Sequence, residues 1–83
     1  MAATLIWSSE SLDDIDAIAQ FIGRDSVHHA QRVAEGLFEL GDVIVAHPQA
    51  GRVVPEMGDA QVRERFLYSY RVIYAIDRDR IAV

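Results

Sequence analysis

The stretch that decides the fold is Val62-Arg63-Glu64-Arg65-Phe66-Leu67-Tyr68-Ser69-Tyr70-Arg71-Val72-Ile73-Tyr74-Ala75-Ile76. It is rich in β-branched and aromatic residues and lacks a helical period. It therefore predicts two strands, residues 62–67 and 70–76, joined at Tyr68-Ser69. If those two residues form the whole loop, Leu67 opposes Tyr70, Arg65 opposes Val72 and Arg63 opposes Tyr74. That register puts Arg63, Arg65, Tyr70 and Tyr74 on one face. A loop one residue longer would bring Arg71 onto that face instead.

Working outward, Asp77 to Arg80 reads as a turn into Ile81-Ala82-Val83, and Glu56 to Ala60 reads as a loop. Gly51 to Pro55 is expected to be a short edge strand, because its proline cannot donate to a ladder. Upstream the period becomes helical. Val27, Ala30, Val33, Ala34, Leu37, Leu40 and Ile44 mark one helix, capped by Asp25 or Ser26 and stopped at His47-Pro48. Gly36 and Gly41 weaken it, so Asp42 to Ala46 has an extended alternative. Leu12, Ile15, Ile18, Ala19 and Ile22 mark an earlier helix, capped by Ser8 or Ser9 and closed by Gly23. Ala3 to Trp7 is a first strand. The short link between the helices predicts an antiparallel hairpin. The expected order is β-α-α-β-β-β, an α+β domain with a helical hairpin on one face of a small, mainly antiparallel sheet. The last run stops in mid-strand at Val83, so residues 1–83 are expected to be one domain whose C-terminal end is missing.

Eighty-three residues suffice for one core only, and 51% hydrophobic with 25% charged residues is ordinary globular usage. With no cysteine, the chain has neither disulfides nor thiolate metal sites, and no cofactor or metal is expected. No apolar run is long enough for a membrane span, and a cytoplasmic protein is expected. The formal charge of −5 is unevenly placed: residues 1–50 hold eight acids against two arginines, and residues 51–83 hold six arginines against five acids. The second half thus gathers the cations where they can meet a partner.

Which chemistry do these residues permit? RNA cleavage needs a base, an acid and cations at the developing charge. His28 and His29 begin the second helix and His47 ends it, roughly 27 to 29 Å away if that helix is continuous, so they share no site. If the chain is a nuclease, its candidates are Arg63, Arg65, Arg71, Tyr70 and Tyr74, since cations and aromatics on one sheet face can stack and neutralise RNA. The same groups can equally grip an acidic peptide. The acidic overall balance and the absence of lysine argue against binding free nucleic acid. The glycines match neither a Walker loop nor a dinucleotide fingerprint.

Trp7, Leu12-Asp13-Asp14-Ile15, Ile18-Ala19-Gln20-Phe21-Ile22, Ala30, Pro48-Gln49-Ala50-Gly51-Arg52 with Pro55-Glu56, Val62-Arg63-Glu64 and Tyr70-Arg71-Val72-Ile73-Tyr74 occur in an order that resembles the ParE branch of the RelE/ParE toxin superfamily. The resemblance covers nearly the whole chain. It implies a toxin of a bacterial type II toxin-antitoxin system, of the kind associated with plasmid stabilisation. A ParD-like antitoxin would hold it inactive, and DNA gyrase would be its target, inhibited through protein contacts. RelE-like members instead cleave ribosome-bound mRNA, and a non-toxic antitoxin-binding remnant is a third alternative. On this reading the antitoxin would meet Arg52, Arg63 and Arg71, with Trp7 and Phe66 lining its apolar groove.

Overall fold

The computed structural model describes residues 4–78 and 80–83. Strand β1 (Thr4–Ile6) leads into helix α1 (Ser9–Gly23) and helix α2 (Val27–Ala46), followed by strands β2 (Arg52–Val53), β3 (Val62–Leu67), β4 (Tyr70–Asp77) and β5 (Arg80–Ala82). The order is β-α-α-β-β-β-β, one strand more than the expected series. The five strands form one sheet in the order β1-β5-β4-β3-β2. All neighbouring pairs are antiparallel except β1 with β5, and the two helices form the expected hairpin.

Both helices start on a serine. Ser8 Oγ accepts from the Ser11 amide and Ser26 Oγ from the His29 amide, each satisfying one of the orphan donors of a first turn. Helix α2 runs unbroken to Ala46, so the extended alternative for Asp42–Ala46 does not occur and the histidines at its two ends stay apart. Its tight approach to β1 explains Gly41: a Cβ there would lie 2.7 Å from Leu5 Cδ2 and from Trp7 Cζ2. Trp7 has left the strand that it was expected to end, and its ring meets Phe38 edge-on at 5.2 Å.

The core is built by α2 and the sheet, with Val33, Leu37 and Ile44 packed on Val72, Tyr74 and Ile81. Burying each such side chain contributes roughly 1.5–3 kcal/mol, which fixes α2 across the sheet. Helix α1 is different. None of its residues is fully buried, and Ile15, Ile18 and Ile22 only flank the core, because α1 leans on α2 and meets the sheet sparingly.

The decisive register is the two-residue one: Leu67 faces Tyr70, Arg65 faces Val72 and Arg63 faces Tyr74. Tyr68 supplies the loop's positive φ of 54°. Three boundaries differ from the sequence expectation. Strand β2 covers only Arg52–Val53, since the chain turns away after it and buries Val54. Asp77 belongs to β4 and pairs with Arg80, so the turn is shorter than expected; Asp79 lies outside the described residues, as does Ala3. Strand β5 begins at Arg80 and lies parallel to β1, with Leu5 opposite Ile81. Among the described residues, no helix is long and apolar enough to cross a membrane.

Candidate functional site

Strand β4 extends past β5, which ends one residue before the last residue of the sequence, and a cleft lies beside that part of β4. Strand β4 runs for eight residues, yet β5 pairs only with Ala75, Ile76 and Asp77. The Ile76 amide donates to Gln61 O, on the β3 side, and peptide groups along a strand alternate in direction. Tyr70, Val72 and Tyr74 therefore direct their N–H and C=O groups to β3, and Arg71 and Ile73 direct theirs away from it. Among the described residues no strand pairs with that second edge. Val83 does not reach it: its amide donates to Ile6 O and its carbonyl accepts from Ser8, both on the β1 side.

Beside this edge lies a cleft of about 610 Å³. Its floor is Tyr70, Arg71, Val72 and Ile73, and α1 forms the opposite wall through Glu10, Asp14, Ile15 and Ile18. Trp7, Leu37 and Val83 close it from behind. The cleft thus has a mainly apolar lining, acids along one wall and a guanidinium on the other.

The face of the sheet away from the helices carries an ion-pair chain. Arg52 sits opposite Glu64 across the β2–β3 ladder and donates from Nε (2.8 Å) and Nη2 to Glu64 Oε1. Arg71 Nη1 donates to Glu64 Oε2 at 3.1 Å and to Glu56 Oε2 at 2.9 Å. The Glu64 side chain is fully covered although it lies on the outer face, because the two arginines roof it. The Arg52 guanidinium stands 5.9 Å over the Phe66 ring. The Glu56 backbone N–H and then Arg71 hold the Glu56 carboxyl below its usual range, and Glu56 in turn raises Arg71.

Arg63 behaves otherwise. Its Nε donates to Ala60 O at 2.8 Å, and its Nη1 to Gln49 O at 2.9 Å and Gly51 O at 3.1 Å. Arg63 thus holds the turn before β2 to the sheet through backbone carbonyls. The Tyr74 hydroxyl donates to Pro48 O in the same turn, and a Cβ at Gly51 would collide with that hydroxyl. Burial pushes the Tyr74 hydroxyl up, against the opposing pull of the Gly51 backbone, Arg65 and Arg63.

The structure divides the expected site residues between the two faces. Arg63, Arg65, Tyr70 and Tyr74 do share one face, but it is the face roofed by the helices, with Tyr74 only 1% exposed. Arg71 lies on the opposite face, so the five nuclease candidates form no common open surface. Of the residues expected to meet an antitoxin, Trp7 and Arg71 line the cleft, Arg52 and Phe66 lie on the outer face beside Arg71, and Arg63 is bound into its own turn. Sequence reasoning missed Glu10, Asp14 and Ile73 as parts of a site and Glu64 as its buried anchor.

With this geometry in place, comparison with known proteins adds the family. A family model described as the ParE toxin of the type II toxin-antitoxin system parDE matches residues 5–83. The chain belongs to the ParE toxin family. A comparison with curated proteins finds no match. Membership in a toxin-antitoxin family implies a cognate antitoxin as partner, and the match extends from β1 through the end of the sheet, so it includes every residue of the cleft.

Proposed function

We propose that this ParE-family chain acts through protein contacts, and that its antitoxin silences it by seating a segment in the α1–β4 cleft. The observation that carries this reading is the mainly apolar cleft between α1 and β4. Pockets among Trp7, Ile15, Ile18 and Val72 supply selectivity for apolar side chains. Arg71 and Trp7 are the antitoxin contacts of this proposal, and Arg52 and Phe66 extend the surface on the outer face. The cognate antitoxin is proposed to be ParD-like and the target DNA gyrase, in the cytoplasm, on the strength of family membership.

The test is expression with and without a cognate antitoxin, scoring growth and gyrase supercoiling together. Toxin alone should arrest growth and inhibit supercoiling, and the antitoxin should reverse both. Ile73→Asp places a charge on a half-exposed cleft residue without touching the core. It should remain folded and escape antitoxin rescue. Full rescue of a folded Ile73→Asp variant would refute the cleft, and unimpaired supercoiling at saturating toxin would refute gyrase.

A further inference from the structure

The helical hairpin carries a second concavity, which shares no lining residue with the cleft. It is a groove of about 310 Å³ between the end of α1 and the start of α2. Ala19 and Gly23 line it from α1, and Val27, Ala30 and Ala34 line it from α2 at the three-and-four spacing of one helix face. Val27 is 66% exposed there. The other four side chains are small, so a second pair of helices can approach closely. A Cβ on Gly23 would lie 3.9 Å from Ala30, which sets those two residues side by side. One turn further from the α1–α2 connection, Ala19 is then level with Ala34.

Charge is sorted along the same hairpin. Within residues 9–46 the arginines are Arg24 and Arg32, both toward the connection, while Glu10 to Asp16 in α1 and Glu35 to Asp42 in α2 hold seven carboxylates. All nine groups are exposed, and among the described residues none is in an ion pair. The level of Ala19 and Ala34 divides the two signs.

We infer that this face pairs with the same face of a second copy, about a two-fold axis that crosses the hairpins near Ala19 and Ala34 and sets each helix antiparallel to its counterpart. Turned end for end, one protomer's Arg24 meets the carboxylates of Asp13 and Asp16 on the other, and its Arg32 meets that of Glu35. Symmetry repeats each contact. A second copy is the occupant the charges select, because it carries both signs in the required order. An acidic segment would be drawn to Arg24 and Arg32 but repelled by the seven carboxylates, and a basic segment the reverse. The net charge of −5 opposes a random approach of two copies. At physiological salt a Debye length of about 8 Å screens that repulsion more than it screens pairs in contact. The paired surface spans about 20 Å of two adjacent helices, below the size of a permanent interface, so the dimer is weak and concentration-dependent.

Sedimentation velocity of the full chain at physiological salt, from about 10 μM to about 1 mM, should show monomer and dimer in exchange. Val27→Asp puts a charge into the groove at a helix start, where an acid is favoured, and should leave a folded monomer by far-UV circular dichroism. Arg24→Glu should weaken the dimer at least tenfold, since each change counts twice across the axis. Adding Asp16→Arg to Arg24→Glu should recover most of that loss, an exchange that rewards only a pair formed between copies. Ile73→Asp, which alters the cleft, should dimerise as the parent does. A parent chain that stays monomeric at the top of the range would overturn the inference, including the case in which a cognate antitoxin covers the groove instead. A dimer that survives both Val27→Asp and Arg24→Glu would overturn this face, and a double variant that recovers nothing would overturn the end-for-end orientation.

Discussion

Replacing Glu64 by Gln removes one charge and one acceptor from a carboxylate whose side chain is wholly shielded from water. Three charge-assisted hydrogen bonds reach it, two from Arg52 to Oε1 and one from Arg71 to Oε2. With glutamine, the amide oxygen can keep Arg52, but each bond loses its anionic acceptor and weakens by about 0.5–1.5 kcal/mol. The amide nitrogen then faces the Arg71 guanidinium, donor against donor, which forfeits a further bond worth about 1.5–3 kcal/mol. The sum must be discounted, because the Arg52 and Arg71 side chains are 64% and 38% exposed and can turn to water. The expected net loss is about 2–3 kcal/mol. For a domain of this size that lowers the melting temperature by roughly 10–20 °C. Thermal and urea denaturation followed by far-UV circular dichroism measure it, with Glu56→Gln as the control, expected to leave the midpoints unchanged. A Glu64→Gln protein with the parent's midpoints would refute the claim that this carboxylate anchors the outer face.

Two glycines in α2 should respond in opposite ways. Gly41→Ala drives a methyl to 2.7 Å from Leu5 and from the Trp7 ring and should cost about 1–2 kcal/mol net of its helix-propensity gain. Gly36→Ala meets only the mobile end of Leu67 at 2.9 Å and should be neutral or stabilising by up to about 1 kcal/mol, both read from urea midpoints. Tyr74→Phe leaves Pro48 O without its donor and should cost about 1–2 kcal/mol at neutral pH. Burial raises the folded-state pKa of Tyr74, so its contribution is complete below the unfolded value of about 10 and is lost as pH rises beyond it. Denaturation series from pH 8 to 11 should therefore show a steeper alkaline decline for the parent than for Tyr74→Phe. An identical slope would contradict the assignment.

The fold was largely legible in local signals. Serine caps, a three-and-four spacing of apolar residues and a proline stop delimit the helices, and the 62–76 stretch carries both strands and the register of its hairpin. What was not legible depends on parts of the chain that meet only after folding. The parallel pairing of β1 with β5 joins the two ends of the domain, and no local pattern encodes it. Arg63 looked available for a partner because its engagement depends on the turn at residues 49–51, brought back against β3 only by the β2 pairing. Alternation along β3 sets Glu64 on the face opposite Arg63 and Arg65. Its burial comes from side chains arriving from β2 and β4, and alternation alone does not reveal such a roof. The cleft is the intermediate case. Its floor residues were all singled out or quoted, but their common site depends on how α1 and β4 come together.

The most direct test is residue-resolved amide hydrogen exchange across Tyr70–Tyr74, for the toxin alone and in complex with its antitoxin. Binding should raise the protection of Arg71 and Ile73, which line the cleft, above their level in the toxin alone. No gain in protection at the cleft while another surface becomes shielded would contradict the account.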